Sequence, residues 1–198
     1  MIKNIIFDMG NVLVDFRPEI AAANFFQDPE DQAIMLNEFF NQKEWVMSDE
    51  GIYTNDQLYD AVKGKIPERL HKTFRDCVDS WDTYAIYPIQ ESLPFIQRMK
   101  EKGYCLYVLS NANDLFHRFF PRFYDPTVFD GVMVSCDVKM IKPHLDIYQH
   151  FLKTFRLEGS ECLFIDDRPV NVEGAKQTGM QAHVFTNNYE EIEKLYQL

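Results

Sequence analysis

Five short stretches are apolar at nearly every position, and each runs out into polar or turn-forming residues. They are KNIIFD (3–8), YCLYVLS (104–110), FDGVMVS (129–135), CLFID (162–166) and QAHVFT (181–186). Continuous rather than alternating apolar character marks a strand covered on both faces, so these runs predict buried parallel strands. Between the later runs the apolar positions recur at helical spacing. PIQESLPFIQRMKEKG (88–103) starts near a proline and closes on Gly103, a suitable C-cap. PHLDIYQHFLKTF (143–155) puts Pro143 in the first turn, ahead of Leu145, Ile147, Tyr148, Phe151, Leu152 and Phe155. RPVNVEGAKQTG (168–179) repeats the design with Pro169 early and Gly179 at the end. Strand alternating with helix implies a parallel sheet with right-handed crossovers.

The stretch from about Phe16 to Tyr87 breaks this pattern. FRPEIAAANFFQ, DPEDQAIMLNEFFNQKEW, TNDQLYDAVKGK and PERLHKTFRDCVDSW carry apolar stripes at helical spacing, surface carboxylates and no convincing strand. The expected organisation is a Rossmann-like, three-layer α/β core at 1–15 plus 88–198, with a helical cap at 16–87 inserted after the first strand.

Composition narrows the function classes. With 46% apolar and 15% aromatic residues in 198, the chain has a globular core. A net charge of −11 without a basic run argues against nucleic acid. No stretch approaches the roughly 18 to 20 apolar residues of a membrane span. The N-terminus acidifies too soon for a signal peptide. Cys77, Cys105, Cys136 and Cys162 are scattered without ligand spacing and read as reduced core thiols. The expectation is a cytoplasmic protein, its oligomeric state (monomer or dimer) left open.

In an open parallel sheet, ligands bind at the carboxyl ends of the strands. Here those ends carry Asp8, Ser110 with Asn111, Ser135, and Asp166 with Asp167. Taken in order, FDMGNVLVD, LSNAN, SCDVKMIKPHLDIY and FIDDRPVNVEGA resemble the four motifs of the haloacid dehalogenase-like hydrolase superfamily. The insertion after the first motif resembles a subclass I cap, and FDMGNV resembles the branch containing α-glucose-1-phosphatase-type sugar phosphatases.

That resemblance implies a Mg²⁺-dependent phosphatase acting on a small phosphorylated substrate, such as glucose 1-phosphate. Asp8 would be the nucleophile, because a carboxylate attacking phosphorus splits one hard displacement into two easier ones. Asp8, the Gly10 carbonyl and Asp166 would hold Mg²⁺, with Asp167 bound directly or through water. The Ser110 hydroxyl and Asn111 backbone N–H would hold the phosphoryl oxygens, and Lys142 would offset charge on Asp8 and phosphate. Asn171 would orient that lysine, and Arg168 reads as a surface or salt-bridge residue.

Position 10 departs from the family's phosphatases, where the residue two past the nucleophile is an Asp that protonates the leaving group. Glycine keeps the carbonyl and loses the acid, which disfavours a phosphomutase and favours substrates with good leaving groups. Cap carboxylates Asp49 and Glu50 are candidates to supply the proton instead. In KEWVMSDEGIYT, Trp45 and Glu50 also read as substrate contacts, an indole face beside acceptors, although Trp45 equally suits the cap's own core. Trp81 and Tyr84 are weaker candidates of that kind. Two alternatives remain: a 2-haloacid dehalogenase, which needs no metal and lacks the paired acid of the fourth motif, and a catalytically inactive binding protein of the same fold.

Overall fold

The computed structural model describes all 198 residues. Its layering follows from side-chain alternation along the strands. In β1 (Asn4–Phe7), Ile5 and Phe7 join one apolar cluster and Ile6 the other. After β1, a short antiparallel ribbon pairs β2 (Val14–Phe16) with β3 (Ile86–Pro88). The remaining strands, β4 (Cys105–Ser110), β5 (Gly131–Val134), β6 (Cys162–Asp166) and β7 (Gln181–Val184), join β1 in one parallel sheet. The sheet order is β5-β4-β1-β6-β7. Leu106 and Val108 of β4 share the face of Ile5 and Phe7, whereas Tyr107 and Leu109 share that of Ile6. Helices Ser92–Glu101 and Tyr189–Tyr196 bring Phe95 and Ile192 to the first face, and Leu145–Phe155 and Pro169–Lys176 bring Phe151 and Val172 to the second. A three-layer α/β fold results.

All five predicted strands of the sheet are present. Pro169 opens its helix, and Gly103 and Gly179 take the left-handed conformation just past theirs, with φ of +87° and +86°. Pro143 is different: the helix starts only at Leu145, with extended His144 ahead of it, so the proline belongs to the approach and not the first turn. The sequence pattern also missed helix Phe116–Phe123, whose interior Pro121 reads as a breaker. It missed the β2–β3 ribbon as well, whose three-residue strands are too short to show a period.

From Pro18 to Ala85 the main elements are helices: Pro18–Phe25, Pro29–Met35 running on as a π-turn over Leu36–Phe40, Lys43–Asp49, Asn55–Val62, His71–Ser80 and Asp82–Ala85. Thr54 and Gln57 form a capping box at the start of one of them. Phe39, Phe74 and Trp81 of this segment lie in the same apolar cluster as Ile5 and Phe7, so its packing is continuous with one face of the sheet.

The stretch between Asp8 and β2 is fixed by two buried phenols. Tyr124 donates to the Leu13 carbonyl at 2.5 Å, and Tyr189 donates to that of Val12 while its ring stacks on Phe95. Tyr189→Phe keeps the stacking and orphans the carbonyl, so we expect a loss of about 1–3 kcal/mol in urea unfolding. An unchanged midpoint would mean that water replaces the phenol.

Candidate active site

Strands β4, β1 and β6 are neighbours, so the chain that follows each meets at one edge of the sheet. Asp8 follows β1, Ser110 ends β4 and Asp166 ends β6. Lys142 reaches this edge from the approach to helix Leu145–Phe155. Its ammonium lies 2.8 Å from Asp8 Oδ1, 2.7 Å from Asp166 Oδ2 and 2.8 Å from the Leu109 carbonyl. Three N–H groups meet three acceptors, and none of the side chain is exposed. The lysine's backbone is clamped too: Asn111 Nδ2 donates to the Lys142 carbonyl, and the Lys142 N–H donates to Asn111 Oδ1, each at 2.9 Å.

Asp166 is fully enclosed. Beside Lys142, it accepts from the Arg168 N–H at 2.9 Å and from Asn171 Nδ2, which lies 3.0 Å from both carboxylate oxygens. Carboxylate oxygens of Asp8, Asp166 and Asp167 come within 4.8 Å of one another. Three carboxylates thus share one ammonium. Burial pushes Asp8 up to about 7; Lys142 pulls against it, while Asp166 and Asp167 add to the rise. Burial would push the Lys142 ammonium down, yet Asp166 and Asp8 carry it above its ordinary value. The lysine stays charged, and the excess at this centre is negative.

Above this edge lies a cavity of about 350 Å³. Its polar end is lined by Asp8, Gly10, Ser110, Asn111, Lys142 and Asp167. The β2–β3 ribbon contributes Phe16 and Ile86, and the helical segment Trp45, Val46 and Trp81, with Asp49 the one carboxylate among them.

The model of the haloacid dehalogenase-like hydrolase family matches residues 2–179. The chain belongs to this family. Among its curated relatives, it is 28% identical to the sesquiterpene phosphatase astK of Aspergillus oryzae, over 99% of this chain and 96% of that one. It is 25% identical to the D-ribitol-5-phosphate phosphatase of Bacteroides thetaiotaomicron, over 91% and 90% of the two chains. A family enzyme from the latter organism, solved with magnesium and inorganic phosphate, superposes with a TM-score of 0.74 at 22% identity, covering 97% and 99% of the chains.

The hydrolase places most of the sequence-predicted residues around one cavity, with some differences in partner. The Asn171 side chain grips Asp166, not the lysine, and its backbone carbonyl accepts from the Tyr148 hydroxyl at 2.8 Å. Arg168 makes no ion pair; it is exposed and lines the cavity. Asp167 opens onto the cavity, whereas Asp166 lies enclosed beneath it. Trp45 packs in the helical segment's own core, against Phe16, Phe40 and Trp81 at centroid distances of 5.9, 5.0 and 4.9 Å, and it also lines the cavity. Trp81 lines it too, but Tyr84 packs on Phe25 and Glu50 lies outside the lining.

One contact escaped the sequence reading. Asn11 holds φ of +54°, a conformation asparagine tolerates better than most residues. From there Nδ2 donates to Asp167 Oδ2 at 3.0 Å, and Oδ1 accepts from the Phe16 N–H at 3.3 Å. The side chain therefore ties a carboxylate of the site to the ribbon. The Gly-Asn pair after a strand was the available signal. Gly10 itself has no positive φ, and a Cβ built there would meet nothing within 4 Å, so neither backbone nor packing requires glycine.

Proposed function

We propose that this hydrolase cleaves a small phosphomonoester with Mg²⁺ through an aspartyl-phosphate on Asp8. The observation that carries the reading is the Asp166–Asp167 pair beside Asp8, an all-oxygen donor set with excess negative charge. Dehalogenase chemistry, with a carboxylate attacking carbon, has no use for it. Asp8, Asp166, Asp167 and the Gly10 carbonyl would hold Mg²⁺, which when bound offsets the charge of nucleophile and phosphoryl group. Asp8 attacks phosphorus, while Lys142 fixes the carboxylate's orientation through one oxygen. The Ser110 hydroxyl and Asn111 backbone N–H hold the phosphoryl oxygens, and residues 16–87 cap the site and exclude water.

For the organic half of the substrate, a sugar phosphate such as glucose 1-phosphate would lay its C–H face on Trp45 and offer a hydroxyl to Asp49. The apolar wall supports a second class. Phe16, Val46, Trp81 and Ile86 offer little to a polyol and suit an isoprenoid alcohol, as in the substrate named for the Aspergillus relative.

Phosphate release from p-nitrophenyl, glucose 1-, glucose 6-, ribitol 5- and farnesyl monophosphates, with Mg²⁺ or EDTA, tests both levels. We expect metal-dependent turnover that disappears in EDTA. Preference for glucose 1-phosphate over its 6-isomer would support the sugar class, and preference for farnesyl monophosphate the isoprenoid class. Chloride release from 2-chloropropionate, unaffected by EDTA and without phosphatase activity, would overturn the reading; silence on every substrate would favour the inactive protein.

A further inference from the structure

We propose that Asp49 protonates the leaving group and then deprotonates the attacking water, the work a side chain at position 10 would otherwise do. This rests on the phosphatase reading above. The titratable side chains lining the cavity are Asp8, Asp49, Lys142, His144, Asp167 and Arg168. Asp8 is the nucleophile, and every N–H of Lys142 is engaged. Asp167 belongs to the metal set and is held by Asn11. Arg168 cannot release a proton near neutrality, and both it and His144 are exposed. Asp49 remains, set among Trp45, Val46 and Trp81 on the wall that the organic half of the substrate must touch.

Its position is built into the fold from both sides. Asp49 is the last residue of helix Lys43–Asp49, and Ser135, the residue after β5, donates its hydroxyl to the Asp49 carbonyl across 86 residues of chain. Two residues on, Gly51 takes φ of +74°, and a Cβ there would collide with the Cys136 carbonyl. The helix end is thus seated directly on core backbone, where only glycine fits. Trp45, one turn earlier on the same helix, and Asn113 line the cavity beside this carboxyl. Burial, with the charge of Asp8 adding to it, pushes Asp49 up to about 7. Both protonation states are then accessible near neutrality, as an acid that later serves as a base requires.

In the first step an Asp8 oxygen forms a bond to phosphorus as the P–O bond to the leaving group breaks, and the Asp49 carboxyl gives that oxygen its proton. In the second, the Asp49 carboxylate takes a proton from water as the water oxygen attacks phosphorus. The Asp8–phosphorus bond breaks, phosphate leaves, and Asp49 is again protonated.

The test compares the wild type, Asp49→Asn and the double variant Gly10→Asp/Asp49→Asn on p-nitrophenyl phosphate and on a primary alkyl phosphate, with unfolding temperatures measured alongside. An alkoxide needs the proton and p-nitrophenolate does not. We expect Asp49→Asn to slow phosphoryl transfer to Asp8, read as single-turnover release of the alcohol, by about 100-fold or more on the alkyl ester and by less than about threefold on the aryl ester. Steady-state turnover of both should fall, because the shared phospho-enzyme loses its base. The carboxyl that Gly10→Asp adds should restore at least about tenfold on the alkyl ester, since position 10 has open space. Equal losses in single-turnover alcohol release on both esters, or none on the alkyl ester, would overturn the assignment even with the phosphatase reading intact. Absence of phosphate release by the wild type from either ester would instead sink that reading, and this proposal with it.

Discussion

Lys142→Met is expected to lower the free energy of unfolding by about 3–5 kcal/mol and to abolish turnover. The lysine is wholly buried and holds Asp8, Asp166 and the Leu109 carbonyl together. Methionine fills similar volume, so packing changes little, but two buried carboxylates and one carbonyl lose their donor. Against a typical domain stability of roughly 5–15 kcal/mol, such a loss is large. The deficit should shrink in acid. Without the ammonium that pulls it down, the folded-state pKa of Asp8, already pushed up to about 7, rises further above its unfolded value. The folded form then binds protons that the unfolded form does not, so stability falls as pH rises through that window. Urea denaturation at pH 5 and pH 8 measures both effects. A deficit equally large at both values would mean that lost packing, not stranded charge, dominates.

Asp8→Asn should have the opposite signature, with activity lost and stability gained. Removing a nucleophile costs on the order of 10⁴-fold or more in kcat. In EDTA, however, the variant should unfold at a higher temperature than the wild type, because three carboxylates share one cation and the amide relieves the repulsion while still accepting from Lys142. The sign follows from Asp8 being pushed up to about 7 from its ordinary 3.8. A carboxyl with a raised folded value destabilises the fold progressively between those values and fully above the higher one. The advantage of asparagine should therefore be absent below about pH 4, grow up to pH 7 and level off. Saturating Mg²⁺ should shrink it, since the cation supplies the missing charge to the wild type. Calorimetric scans at pH 4 and pH 8 would show this, and a wild type more stable than the variant in EDTA at pH 8 would contradict it.

Much of the centre was legible because its residues sit where buried strands run out. The continuous apolar runs gave five strands, and their polar ends gave Asp8, Ser110 and the Asp166–Asp167 pair. What could not be read was which residue each would touch. Asn171 reaches Asp166 because Lys142 is already saturated by three acceptors, a count that depends on distances. Asp49 and Glu50 are adjacent in sequence but about 100° apart around a helix end, so only one of them lines the cavity. Asn11 was hidden because its role depends on a left-handed backbone conformation and a partner 156 residues away. The ribbon joining the helical segment to the core is too short to leave a pattern, although it fixes where Phe16 and Ile86 enter the cavity wall.

The most direct test of the central claim is to quench the enzyme in acid during turnover of p-nitrophenyl phosphate and weigh the peptide that contains Asp8. With Mg²⁺ present, a fraction of that peptide should carry one added phosphoryl group. The adduct should be missing in EDTA and in Asp8→Asn. A phosphoryl group on any other residue, or steady phosphate release with the Asp8 peptide never modified, would contradict an aspartyl-phosphate on Asp8.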